Sequence, residues 1–256
     1  MGKIKKVVIS AAGQGTRMLE LSKDKSKHLI EVNHRPFLAY LLDNILEAGY
    51  TDIMLVVGFR EDVIKDFLKK YIFNGTYNIQ TINQFEVLGP KEKEYGTACP
   101  LKCVKDFVGR EQFISLVGDN FYSVDDLKSM NIEDQYNYVA GFENEHPEKF
   151  GVLLAEGEML KEIIEKPKEF VGNLINTSLY KFTKDVFEKL PLIEKSERGE
   201  YEITDVISLL AKEKKVKVKI IKDNWMDFGN PSDLEKFTTF LKPKITNHKL
   251  QKNSNE

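Results

Sequence analysis

Two hydrophobic rhythms alternate along this chain, and their alternation predicts the architecture. Residues 4–10 read as a strand around a short, continuous β-branched apolar run, Val7, Val8 and Ile9, the pattern of a strand buried on both faces. Residues 37–48 (FLAYLLDNILEA) follow a helical period, with Pro36 at the start and Gly49 as the stop. A second apolar run at 53–57 precedes a helical segment over 61–70, and 78–87 reads as a third strand. A helix over 97–107 then leads to the apolar run 113–117, which ends abruptly in Gly118-Asp119-Asn120. Short buried strands separated by helices predict an α/β fold with a mostly parallel sheet and helices on both faces. Ligands of such sheets sit at the strand ends.

Beyond about residue 130 the rhythm changes. Residues 138–142, 151–154, 160–164 and 174–182 are strand-like, with Glu156-Gly157-Glu158 as a hairpin turn. A helix over 203–211, an alternating Val/Ile–Lys strand over 216–221 and a helix over 232–241 complete the pattern. No Gly/Ser/Pro-rich linker divides the halves, so a single domain over 1–241 is expected, with a first half to about 130 and a second over 131–241. Residues 242–256 are poor in apolar side chains and read as a polar tail.

Composition narrows the classes without choosing one. The chain has 256 residues, 41% of them hydrophobic and 30% charged, with a formal net charge of -2. That balance argues against a nucleic-acid partner, which favours a basic surplus. Cys99 and Cys103, the only cysteines, are spaced i, i+4 on the predicted helix and read as buried packing, not as a disulfide framework. The basic, then apolar N-terminus is too short in its apolar part for a signal peptide, and no run reaches the roughly 18 apolar residues of a membrane span. A cytoplasmic protein is expected.

Candidate chemistry begins where the first strand empties into Gly13-Gln14-Gly15-Thr16-Arg17. Met18 stands where a dinucleotide fingerprint needs its third glycine, and the GK[ST] ending of a P-loop is missing. What remains is a loop whose backbone N–H groups can approach an anion, with the Arg17 guanidinium as a planar phosphate ligand. Of Lys23, Lys25 and Lys27, the last precedes the apolar Leu29 and Ile30, so the fold can fix it beside the loop. Asp119 ends an apolar strand and Asp227 precedes the last helix. Two such carboxylates with phosphates nearby suit Mg²⁺, although each taken singly is also an ordinary turn or capping residue. Glu165-Lys166-Pro167 and residues 199–202 read on physical grounds as turns and caps. The four histidines have no zinc-site spacing, and no Gly-x-Ser-x-Gly elbow occurs.

Taken in order, GQGTR (13–17), Lys27 with HLIEVNHRP, GTA (96–98), GDN (118–120), EKPKE (165–169), NTSLY (176–180), GEYEITD (199–205) and WMDFGNP (225–231) resemble the sugar-1-phosphate nucleotidyltransferases over nearly the whole chain to about residue 240. The resemblance implies a three-layer α/β sandwich around a Rossmann-like mixed sheet. It also implies conversion of an NTP and a sugar 1-phosphate into an NDP-sugar and pyrophosphate, with UTP or dTTP and a hexose 1-phosphate as the favoured substrates. Nucleotide contacts are implied for Ala11, Ala12, Gly13, Gly15, Thr16, Gly96 and Thr97. Arg17 would neutralise the pyrophosphate and Lys27 the α-phosphate, while Asp119 and Asp227 would hold Mg²⁺. Lys166 would meet the sugar phosphate, and Glu165, Asn176 and the Gly151 backbone the sugar hydroxyls.

Three departures stand out. Many relatives carry a base-reading glutamine a few residues before GTA, where this chain has Gly89-Pro90-Lys91-Glu92-Lys93-Glu94. Ser178 stands where glycine is frequent, and Asn230 where threonine is common. No left-handed β-helix follows the catalytic part, which speaks against a built-in acetyltransferase. A cytidylyltransferase acting on phosphocholine or another non-sugar phosphate, a glycosyltransferase and a non-catalytic nucleotide-sugar sensor are the alternatives. The sequence leaves homo-oligomer formation open.

Overall fold

A computed structural model describes residues 3–13, 18 and 26–241; Gly15, Thr16, Arg17, Lys23, Lys25 and the expected tail lie outside the described residues. The strands are β1 (Lys6–Ala11), β2 (Glu31–Val32), β3 (Arg35–Pro36), β4 (Asp52–Val57), β5 (Asn78–Asn83), β6 (Phe113–Val117), β7 (Asn120–Tyr122), β8 (Asn137–Glu143), β9 (Gly151–Glu156), β10 (Met159–Glu165), β11 (Leu174–Phe182), β12 (Val216–Ile220) and β13 (Trp225–Asp227). The helices are α1 (Phe37–Glu47), α2 (Glu61–Leu68), α3 (Gln84–Leu88), α4 (Cys99–Lys102), α5 (Lys105–Val108), α6 (Val124–Ser129), α7 (Val186–Lys189), α8 (Ile203–Lys212) and α9 (231–241).

A nine-stranded sheet in the order β5-β4-β1-β6-β11-β8-β12-β10-β9 forms the frame. From β5 to β6 every pairing is parallel, as the buried β-branched runs predict. Beyond β6 the sheet is mixed: β11 runs antiparallel to both β6 and β8, β12 parallel to β8, and β10 antiparallel to β9 and β12. Single residue pairs, Met159 with Lys217 and Ile175 with Val152, carry the pairing path from β12 to β10 and from β9 back to β11. The second half therefore curls into a small closed ring of strands.

Alternation along β1 assigns its neighbours to two layers. Val7 and Ile9 face one core with Ile53, Leu55 and the α1 residues Leu38, Leu41, Leu42 and Ile45. Val8 faces the other with Met54, Val56, Leu101, Val104 and the α8 residues Val206, Ile207 and Leu210. A third cluster, Met18, Ile30, Val32, Phe37, Phe121, Phe228, Phe237 and Leu241, ties α9 to the N-terminal part. Cys99 and Cys103 are both buried, as expected.

Two element boundaries differ from the periodicity. The third strand stops at Asn83, whose side chain accepts a hydrogen bond from the Phe85 N–H (2.9 Å) and caps α3. The expected helix over 97–107 is two short helices, because Val104 (φ -115°, ψ 10°) leaves the helical region between them. No described helix is long and apolar enough to cross a membrane.

Candidate active site

The chain runs from β1 out to β4 and β5 on one side, then returns to place β6 on the other. The C-terminal end of β1 is thus the point where strand order reverses, the place where open α/β sheets leave a crevice. Gly118 follows β6, and its N–H donates to the Ser10 carbonyl at 2.9 Å. A Cβ at Gly118 would come within 2.9 Å of His28 Cδ2 and 3.2 Å of the Ser10 oxygen, so only glycine permits this approach. The next residue, Asp119, projects at the crevice.

Lys27 opens a short 3₁₀ turn (Lys27–Leu29) and its Nζ donates to Asp119 Oδ2. Burial would raise the Asp119 carboxyl, yet Lys27, with a smaller contribution from His28, holds it below the ordinary carboxylate value. His28 is buried with Nδ1 2.9 Å from Ser26 Oγ. Burial, reinforced by the Lys27 charge, lowers its pKa to about 3, so its ring is neutral near pH 7.

Asp227 reaches the same place by a different route. β13 pairs antiparallel with β7, setting Asp227 opposite Asn120, and the Phe228 N–H donates to the Asp119 carbonyl at 2.8 Å. Asp233 Oδ2 accepts from the Gly229 and Asn230 N–H groups (3.2 and 2.9 Å), pinning the loop behind it. Two carboxylates more than a hundred residues apart in sequence become neighbours through one short ladder.

Two cavities meet at Asp119, Thr97 and Val117. The smaller, about 190 Å³, is walled by Ala12, Gly13, Lys27, His28, Gln84, Tyr95, Gly96 and Glu200 among others. Ala11 is buried at the end of β1. The larger, about 320 Å³, is walled by Gly151, Glu165, Lys166, Asn176, Ser178, Tyr180, Arg198, Glu202, Trp225 and Asp227 among others. Of the sequence-derived candidates within the described residues, all but Ala11 therefore line one of two adjoining cavities.

The partition between these cavities is a crossing of two segments. The Ala98 N–H donates to the Tyr201 carbonyl (2.9 Å) and the Tyr201 N–H to the Tyr95 carbonyl (2.8 Å). Thr97 Oγ1 donates to Glu202 Oε2 (3.0 Å) and accepts from the Ile203 N–H (2.8 Å). Glu202 Oε1 also receives Arg198 at 2.7 Å. In the larger cavity the β9–β10 register sets Glu165 opposite Gly151, and a Cβ there would lie 2.9 Å from Glu165 Oε2.

Gln84 lines the smaller cavity beside Gly96. It lies twelve residues before Gly96, too far to be noticed by proximity in sequence. The 89–94 excursion folds away, and Gln84 shares the smaller cavity with Gly96. It is 1% exposed, and its Oε1 has no hydrogen-bond partner among the described residues. A buried amide oxygen left unpaired is costly unless a ligand supplies the donor. Sequence reasoning likewise misses Arg198, Tyr95, Glu200 and Trp225, although Glu200 and Trp225 belong to segments quoted above. His28 opens the HLIEVNHRP stretch quoted above without being assigned a role; its place before Leu29 and Ile30 is the available signal of a buried ring.

A family model described as nucleotidyl transferase matches residues 6–244. The chain belongs to that family. This nucleotidyl transferase is 33% identical over 240 residues to the bifunctional protein GlmU of Methanocaldococcus jannaschii, covering 93% of this chain and 54% of that protein. It is 30% identical over 247 residues to UTP–glucose-1-phosphate uridylyltransferase AglF of Haloferax volcanii, covering 93% and 97%. The chain thus spans about half the length of the GlmU relative and nearly all of AglF. Its fold superposes on a UDP-glucose pyrophosphorylase complexed with UDP-glucose with a TM-score of 0.80, at 25% identity over 94% of this chain and 99% of that one.

Proposed function

We propose that this chain joins an NTP, with UTP or dTTP favoured, to a hexose 1-phosphate, forming an NDP-sugar and pyrophosphate. The observation that carries this reading is the pair of cavities meeting at Asp119. One holds the phosphate-loop residues Ala12 and Gly13 with the buried amide of Gln84; the other holds Lys166 with Glu165 and Asn176. The unpartnered Gln84 Oε1 fits the N3–H donor of uracil or thymine. On this reading the parallel half of the chain is a Rossmann-like nucleotide unit to about residue 130, and the ring of strands over 131–241 is the sugar unit. The names of AglF and of the UDP-glucose pyrophosphorylase support the same substrates.

No general base is required, because a sugar-phosphate oxygen is already ionised near neutral pH. The obstacle is bringing the sugar-phosphate dianion to the anionic α-phosphate of the NTP, and this chain answers it with cations. Lys27 would neutralise the α-phosphate, Lys166 and Arg198 the sugar phosphate, and Arg17 the departing pyrophosphate. As the sugar-phosphate oxygen bonds to the α-phosphorus, the bond to the bridging oxygen breaks and pyrophosphate carries off its electron pair. Glu165, Asn176 and the Gly151 backbone would orient the ring for this approach.

Asp119 and Asp227 fit a divalent ion of the Mg²⁺ kind. They bring only hard oxygen donors, and no cluster of three or more metal-ligating side chains occurs among the described residues, so phosphate and water oxygens would complete the shell. When bound, that ion would supply charge stabilisation at the reacting phosphates.

The test is a panel of UTP, dTTP, CTP and ATP against glucose 1-phosphate, N-acetylglucosamine 1-phosphate and phosphocholine, scored by pyrophosphate release with Mg²⁺. Release with UTP or dTTP and a hexose 1-phosphate is expected. Asp119→Asn and Asp227→Asn should each lose about 100-fold or more in turnover while remaining folded. Release with phosphocholine and none with either hexose 1-phosphate would overturn the proposal.

A further inference from the structure

One residue of the larger cavity holds a backbone conformation that its own side chain disfavours. Ser178 has φ of 58°, in the left-handed region where a Cβ meets the following carbonyl and glycine does not. The cause lies in β11, whose register against β8 is broken between Asn176 and Tyr180. At this irregularity Asn176 Oδ1 accepts the Ser178 N–H at 3.0 Å, and Ser178 joins Asn176, Tyr180 and Glu165 in the cavity wall.

The wall is locked from behind. The Thr177 carbonyl accepts both Asn120 Nδ2 (3.1 Å) and the Tyr122 hydroxyl (2.7 Å), while Thr177 Oγ1 donates to the Ala140 carbonyl (2.9 Å). In front, the Tyr180 hydroxyl receives Asn176 Nδ2 at 3.0 Å. Burial pushes the Tyr180 pKa up to about 12, so the hydroxyl stays protonated and the wall presents fixed, neutral polar groups. A bulge with this much support cannot retreat from a ligand at little cost. Strained conformations held by their surroundings in this way concentrate at ligand sites.

We propose that Ser178 is a specificity-determining residue: its hydroxymethyl group sets the size of sugar-ring substituent that the larger cavity accepts, favouring plain hexoses over acylamino hexoses. This rests on the sugar-side reading of that cavity given above. The cavity, about 320 Å³, must hold the ring, its phosphate and the attendant water. An acylamino group placed against β11 would have to displace the Ser178 side chain or leave the Tyr180 and Asn176 polar groups unpaired beside a methyl group.

The experiment compares binding of UDP-glucose and UDP-N-acetylglucosamine by isothermal calorimetry to the wild type, Ser178→Gly and Ser178→Asn. Both replacements tolerate the left-handed backbone, so each keeps the bulge while changing the bulk. The wild type should bind UDP-glucose more tightly. Ser178→Gly should shift the affinity ratio about tenfold toward the acylamino sugar with an unchanged or higher melting temperature. Ser178→Asn should shift it the other way. Equal ratios in all three proteins, with both ligands binding, would overturn the role of Ser178 alone. Failure of either nucleotide sugar to bind the wild type would overturn the sugar-side reading and this inference with it.

Discussion

His28 shows how a single residue can stabilise the site without carrying charge. Its ring fills the space that Gly118 leaves open, with Ser26 on Nδ1 and Lys27 on the adjoining peptide. Burial lowers its pKa to about 3 in the folded chain, against about 6.5 when unfolded. Between these values the unfolded state binds a proton that the native state refuses, so stability falls as pH drops through the window, by up to about 1.4 kcal/mol per pH unit. Asp119 acts in the same sense lower down: Lys27 depresses its pKa against the opposing effect of burial, so its contribution is present above the unfolded value and is lost in more acid solution. Urea unfolding of the wild type between pH 7 and 4.5 should therefore show falling midpoints. In His28→Asn, which keeps a hydrogen-bonding group toward Ser26 and cannot titrate, the slope should be flatter by about 1 kcal/mol per pH unit. Parallel slopes for the two proteins would refute this account. Asp119 at the end of β6 and Lys27 just before the apolar Leu29 and Ile30 were legible in the sequence, because a charge adjoining a buried apolar run has no packing role. Gln84 was not, since the length of the 89–94 excursion hides which glutamine faces Gly96 until the two are brought together in space.

At the level of elements, the crossing of residues 95–98 with 201–203 is the joint on which both cavities depend. Gly96 has φ of 128°, and a Cβ there would fall 2.3 Å from the Tyr201 carbonyl oxygen and 2.5 Å from its nitrogen. Backbone cannot yield as a flexible side chain does, so Gly96→Ala must separate the two segments. Their mutual hydrogen bonds, from Ala98 to Tyr201 and from Tyr201 to Tyr95, would be lost with the contact. A loss of about 2–4 kcal/mol in denaturant unfolding is expected, together with weakened UTP binding in calorimetry. An unchanged midpoint would show that the crossing carries no stability. The same joint explains one boundary that periodicity missed: the helix expected from residue 97 starts only at Cys99, because the residues before it serve this crossing. A mixed sheet is expected from the sequence, but the pairing order of the second half and its closure into a ring are not. Antiparallel and parallel neighbours both accept short apolar strands, and pairing partners that lie far apart in sequence leave no local mark.

On the scale of the whole molecule, the third aromatic cluster joins regions that the sheet does not connect directly. Phe37 at the start of α1 stacks on Phe228 with centroids 4.4 Å apart, and Phe237 of α9 packs against Phe37, Phe121 and Phe228. Phe228 follows Asp227 and Phe121 lies two residues after Asp119, so the cluster clamps the two strands whose ladder aligns the carboxylates. The Phe237 ring is 1% exposed, and Phe237→Ala should cost about 3–5 kcal/mol as any large core truncation does. A second consequence separates a clamp from mere core packing. Ile53, fully buried on β4 in a different cluster, provides the control, because Ile53→Ala should lose about 2–5 kcal/mol without reaching the β7–β13 ladder. On the proposed reaction, measured with Mg²⁺ at a temperature where both variants are folded, Phe237→Ala should reduce release of pyrophosphate several-fold more than Ile53→Ala does, and raise the Mg²⁺ concentration needed for half-maximal rate. The reason is geometric: loosening the ladder by a fraction of an ångström would spoil the alignment of the two carboxylates proposed to share one ion, whereas thinning the β4 core would leave that alignment intact. Equal losses in the two variants would mean that the aromatic cluster holds the fold together but does not tune the site.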